Sequence, residues 1–134
     1  MPTQVEMKTA LQHYVQGLHN SDAKLLSSLF SDHAKIQDPF GLGRVVEGRE
    51  AIDTMYKYSV DVIDEAKIEA PIVGSHGNYA AVAFSFVTTV NGIISKTHAI
   101  DVMTFDDSCK IVDMKAYWGS DDNSRNLSAT DYDF

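Results

Sequence analysis

Two alternating runs joined by Asn91-Gly92 limit what this chain can fold into more than any other feature. Tyr79–Val90 and Ile93–Phe105 place apolar residues at every second position over most of their length, the period of a half-buried strand. Asn-Gly is favoured in two-residue hairpin turns because both central residues take positive φ. The runs therefore predict one long antiparallel hairpin. Asp106-Asp107-Ser108 turns the chain again, and residues 109–118 predict a further strand of the meander.

Before Pro71 the period is 3.6 instead. Met7, Leu11, Tyr14, Val15 and Leu18 form the buried stripe of a helix that opens at Thr3 or Gln4. Asn20-Ser21-Asp22 breaks it and caps a second helix, with Leu25, Leu26, Leu29 and Phe30 facing inward. So short a break predicts a helical hairpin. Residues 34–38 predict a short strand. Glu47-Gly48-Arg49-Glu50 leads into a third helix, with Ile52, Met55, Tyr56, Val60 and Ile63 at helical spacing and its end open between 61 and 66. Helices first and a meander afterwards indicate an α+β fold, three N-terminal helices on one face of a curved, mostly antiparallel sheet.

At 134 residues the chain predicts a single domain, 1–134. Surface scaling leaves roughly 7,000 Å² exposed of about 21,000 Å² unfolded, enough burial for a core and an internal pocket. A net charge of −8 without a Lys/Arg cluster excludes nucleic acid and anionic membranes as natural partners. Cys109 is the sole cysteine and reads as an ordinary strand residue; no internal disulfide can form, which suits a reducing cytosol. The first residues lack a signal-peptide core, and the longest apolar run, 79–84, is far too short to span a membrane, so the protein reads as cytoplasmic. His13, His19, His33 and His76 show no ligand pairing, and no metal is expected. Gly41-Leu42-Gly43 lacks the third glycine of a nucleotide-binding turn. The polar tail, 120–134, is expected to be flexible unless it docks on a partner chain.

The chemistry gathers around Ile36-Gln37-Asp38-Pro39-Phe40-Gly41. Proline pushes the residue before it towards extended backbone, so Asp38 reads as a strand end entering a loop. It is either a turn aspartate bonded to its own backbone or a carboxylate aimed into a pocket as a base. Parity frames the second acid. Odd positions of the return strand put Asp101 with Thr97, Ala99, Met103 and Phe105; even positions hold His98, Ile100, Val102 and Thr104. If the odd set faces the concavity, Asp101 is walled by Ala99, Met103, Phe84, Met114 and Trp118. The other register sends it to solvent. An inward, desolvated Asp101 would hold its proton and become a hydrogen-bond donor. A tyrosine hydroxyl beside it would complete a two-donor oxyanion site. Tyr14 is a candidate for that hydroxyl and equally a satisfied core tyrosine.

Tyr14-Val15, Ile36 to Gly41, Glu47-Gly48-Arg49-Glu50, Ile100-Asp101-Val102-Met103-Thr104-Phe105-Asp106 and Met114-Lys115-Ala116-Tyr117-Trp118 closely resemble bacterial ketosteroid isomerases. These are steroid Δ5-isomerases of the nuclear-transport-factor-2-like, or SnoaL-like, superfamily. The resemblance implies a conical α+β fold enclosing an apolar pocket, a homodimer, an apolar ketone (a steroid) as substrate, and no cofactor. It implies Asp38 as general base, Tyr14 and a protonated Asp101 as oxyanion hole, and Tyr56 in support of Tyr14. The protonated acid is already the known arrangement of that family. Phe84, Met114 and Trp118 fall on its apolar pocket positions, and parity adds Val82, Met103 and Phe86. The family's cis bond is expected at Asp38-Pro39. Phe30 replaces a network tyrosine of some members, which shortens the network. His98 replaces an acidic residue near the site in one branch. The alternatives are another enzyme on this fold (a polyketide cyclase, dehydratase or epoxide hydrolase) and a non-catalytic binding domain.

Overall fold

The computed structural model describes residues 1–132. In chain order its elements are helices α1 (Gln4–His19) and α2 (Ala23–Ser28), strands β1 (Phe30–Gln37) and β2 (Val46–Glu47), helix α3 (Arg49–Val62), and strands β3 (Ile63–Ile68), β4 (Tyr79–Val90), β5 (Ile93–Phe105) and β6 (Ile111–Tyr117). One six-stranded sheet runs β2-β1-β6-β5-β4-β3. All neighbours are antiparallel except β1 and β6, which are parallel. The helices pack on one face of this open, curved sheet. Its accessible surface of 7015 Å² agrees with the scaling estimate. No helix among the described residues is long and apolar enough to cross a membrane.

Local chemistry sets the element ends. Thr3 and Glu6 cap α1 reciprocally: the Glu6 N–H donates to Thr3 Oγ1 at 3.1 Å, and the Thr3 N–H to Glu6 Oε1 at 2.8 Å. Asp22 caps α2 by accepting from the Leu25 N–H at 3.1 Å. α2 is shorter than its leucines suggest, and Phe30 enters the core from β1 rather than from the helix. The Arg49 guanidinium donates to the Ser27 and Phe30 carbonyls at 2.7 and 2.6 Å, satisfying groups that a longer helix would have used itself. The open end of α3 resolves as β3, which pairs with β4. At the hairpin, Asn91 and Gly92 take φ of 50° and 78°, as the turn requires.

Cys109 belongs to a turn instead of the last strand. The Asp106 carboxylate accepts from the Ser108 and Lys110 N–H groups at 2.9 Å each, so β6 starts only at Ile111. A register shift after Thr104 leaves Val112 off the inward face, which Met114, Ala116 and Trp118 keep. The parity of β5 is resolved: the odd positions 95–105 are buried, Asp101 to 1 % exposure, while Ile94 and Ile100 lie on the outer face.

Residues 120–132, part of the tail read as flexible, lie against the chain's own sheet. β6 pairs with β5 only from Ile100 onward, which leaves the first half of β5 with an open edge. The tail fills it. The Ser124 N–H donates to the Lys96 carbonyl and the Lys96 N–H to Ser124 Oγ, both at 2.9 Å. Asn123 is buried and donates from Nδ2 to Ser95 Oγ at 3.0 Å and to Thr97 Oγ1 at 2.9 Å. Those hydroxyls face the interior and need such partners. Asp133 and Phe134, the last two residues of the expected tail, lie outside the described residues.

Candidate active site

α1 carries Tyr14 at the middle of its apolar stripe, and α3 carries Tyr56 opposite it. Both are buried, with hydroxyls 3.0 Å apart and rings edge to face at 6.0 Å. The Tyr56 hydroxyl also lies 3.9 Å from Met114 Sδ, a weak acceptor beside the stronger one that the Tyr14 oxygen offers. Phe30 packs on the Tyr56 ring at 5.5 Å and adds no hydroxyl, so among the described residues the phenol pair has no third tyrosine at that position. Burial, foremost, and the charges of Tyr56, Asp101 and Asp38 push the Tyr14 phenol well above its usual range, so it keeps its proton.

Asp101 points inward from β5. Its Oδ1 is buried without a hydrogen-bond partner among the described residues, an expensive state for a carboxylate and a cheaper one for a neutral acid. Burial, and secondarily the Asp38 charge, raise its carboxyl well above the usual carboxylate range.

Asp38 follows β1, with a cis bond to Pro39, as expected. The parallel pairing of β1 and β6 brings it beside the end of β6, where the Phe40 N–H donates to the Ala116 carbonyl at 2.7 Å. The Trp118 Nε1–H donates to Asp38 Oδ1 at 2.8 Å. Burial pushes the Asp38 carboxyl up to about 6, against the downward pull of that hydrogen bond and of Arg44. Asp101 has no such opposing pull.

These groups share a cavity between helices and sheet whose lining is mostly apolar, with a few convergent polar groups, the usual make-up of a small-molecule site. Seven predicted residues line it: Asp38, Tyr14, Asp101, Tyr56, Phe84, Phe86 and Trp118. Val82, Met103 and Met114 do not. All three are fully buried in the core, Met114 behind Tyr56. Parity gave them the right face but not how far along each strand the helices leave that face uncovered. His98 is exposed on the outer face of β5. Thr88 and Tyr132 line the far end of the cavity and escaped the sequence reading. Thr88 shares parity with Phe84 and Phe86 and could have been found; Tyr132, in a polar tail without periodicity, carried no signal. Among the described residues no cluster of three His, Cys, Asp or Glu side chains could hold a metal ion.

The model of the SnoaL-like domain matches residues 11–114. The chain belongs to the SnoaL-like family. This SnoaL-like chain is 29% identical over 119 residues to a protein named steroid Delta-isomerase from Nocardioides simplex, covering 87% of this chain and 93% of that one. Among solved structures it is similar to the epoxide hydrolase/cyclase-like enzyme SalBIII, which is described for its role in forming a pyran ring of the polyether salinomycin. The TM-score is 0.83 at 26% identity, covering 92% of this chain and 98% of the other. Likeness to proteins with such different names fixes the fold more tightly than the reaction.

Proposed function

We propose that the protein is a steroid Δ5-isomerase, moving a carbon–carbon double bond into conjugation with a 3-ketone. The observation that carries this reading is Asp101: a buried acid with an unpartnered Oδ1, in one apolar cavity with the Tyr14–Tyr56 pair and a second carboxyl that titrates near 6. Asp38, ionised at neutral pH, takes a proton from the carbon between carbonyl and alkene. Electrons move towards the ketone oxygen, and the dienolate oxygen accepts hydrogen bonds from Tyr14 and neutral Asp101. Tyr56 holds the Tyr14 hydroxyl in place. Protonated Asp38 then returns the proton two carbons further along, so atoms and charge balance without a cofactor. A positioned base contributes about 10²–10⁴-fold and an oxyanion donor about 10²–10³-fold.

Incubation with a Δ5-3-ketosteroid, followed by ultraviolet absorbance of the conjugated enone, tests the reading. Enone growth that is lost in Asp38→Asn supports it; no enone above the buffer rate overturns it. The likeness to an epoxide hydrolase/cyclase-like enzyme favours one second reading, in which Asp101 protonates an epoxide while Asp38 deprotonates the attacking hydroxyl. A cyclic ether formed from an epoxy alcohol, with no enone from the ketosteroid, would select that reading. The outer face of the sheet, where Phe40, Ile100 and Tyr117 stay exposed, is the contact surface we assign to a homodimer, measurable by sedimentation.

A further inference from the structure

The cavity has a second polar end that the proton transfer leaves idle. Thr88 faces inward from β4 at 1 % exposure, and its Oγ1 lies 3.1 Å from the Tyr132 hydroxyl and 3.3 Å from Ser95 Oγ. Ser95 Oγ in turn accepts from Asn123 Nδ2. Thr88 and Tyr132 line the same cavity as Asp38 and Asp101, and the Phe84 and Phe86 rings, 5.7 Å apart and tilted by 31°, lie between the two ends on β4. Val82 pairs with Asp101 and Thr88 with Ser95, so the ends are separated by 88 − 82 = 6 residues of β4. At about 3.3 Å per residue the strand path is roughly 20 Å, shortened by side chains reaching in from both ends. One ring held at the acid end would stop short of the hydroxyls. A fused polycycle spans the distance.

Hydroxyls closing an apolar channel are costly unless bonded. Here they bond to one another, and each can both donate and accept. A ligand end that bears oxygen joins such a chain, whereas a hydrocarbon end only strips it of solvent. The tail builds this end. Asn123 forks to Ser95 and Thr97, Arg44 Nη2 donates to the Ala129 carbonyl at 2.7 Å, and the Tyr132 ring stands edge to face with Trp118 at 5.8 Å.

We propose that Thr88 and Tyr132 form a specificity subsite for a second oxygen, carried by an elongated polycyclic substrate at the end remote from its reacting ketone. The orientation, ketone at the acid end, rests on the isomerase reading. Two phenolic steroids, identical except for an oxygen at C17, are titrated calorimetrically into the wild type, Tyr132→Phe and Thr88→Val. Turnover of the matching pair of Δ5-3-ketosteroids is measured alongside. The wild type should bind the oxygenated phenol about 3–10-fold more tightly, the effect of one neutral hydrogen bond. Either variant should bring that ratio towards one, and Tyr132→Phe carries the test if Thr88→Val fails to fold. A wild-type ratio near one overturns the subsite. So does a ratio unchanged in Tyr132→Phe, including the case where both ligands weaken equally, as lost packing alone would produce. Failure of the isomerase reading looks different: neither ketosteroid yields enone, while the phenol ratio still responds to Tyr132→Phe and the subsite stands.

Discussion

The two ends of the cavity are built from different parts of the chain and by different means. At the acid end, rigid elements deliver the groups: Tyr14 from α1, Tyr56 from α3, Asp101 from mid-β5, and Asp38 from the junction of β1 and β6. Their protonation is set by burial. At the hydroxyl end, a polar segment without regular periodicity folds back on the edge of β5 and is held by side-chain hydrogen bonds. On the proposed reading, the groups whose protons move are mounted on the core, where dielectric and position are fixed. Groups that would only select a ligand sit on a segment that can vary without disturbing the core.

The largest test of this contrast is Asp38→Asn. Loss of the base should lower kcat by about 10²–10⁴-fold. Affinity for a planar phenolic steroid should hold or rise, because the amide does not repel an oxyanion; calorimetry and enone absorbance read both. Tyr14→Phe removes one donor and should cost about 10²–10³-fold in kcat with a smaller change in KM. The pH profile comes next. With Asp38 raised to about 6, kcat/KM should fall about tenfold per pH unit below that point and level off above it. A profile flat down to pH 4.5 would remove the desolvated base.

Stability gives a smaller and independent readout. Asp101 and Asp38 have folded pKa values raised above an unfolded value near 3.9, so the folded state holds their protons more tightly. Their contribution is fully present below about pH 4 and is lost as pH rises through the folded values. Asp101→Asn should flatten the denaturant-derived stability curve between about pH 4 and 7, and parallel curves would return Asp101 to ordinary solvated behaviour. The smallest effect belongs to the other end. Asn123→Ala should cost about 1–3 kcal/mol in chemical denaturation, leaving the Ser95 and Thr97 hydroxyls short of a donor.

The sequence was legible where burial imposes a period. The β4–β5 hairpin, the α1 stripe and the Asn-Gly turn follow from local pattern, and Asp38, Tyr14 and Asp101 were nameable because their blocks resemble a family. Three features were not legible, each because a long-range contact decided it. Arg49, from another helix, holds the Ser27 carbonyl near the end of α2 and the Phe30 carbonyl where β1 begins. The parallel β1–β6 pairing joins strands that no turn connects. Asn123 and Tyr132 are buried only because β5 outruns its partner strand. Parity left the direction of Asp101 open, since both faces of its strand are partly apolar. The helices resolve it by covering one face.

The β1–β6 pairing also orders events in time. Asp38 is held by Trp118, 80 residues later in the chain, and the strand that precedes it has only the two-residue β2 as its other neighbour. A ribosome adding about 5–20 residues per second leaves the Asp38 segment waiting roughly 4–16 s for the strand that fixes it. Helices and the β4–β5 hairpin close locally within that interval, so the helical wall and the hairpin wall of the cavity form before Asp38 is set. During synthesis the Asp38 carboxylate is therefore fixed only when Trp118 arrives, and Tyr132, later still in the chain, is the last group to close the cavity.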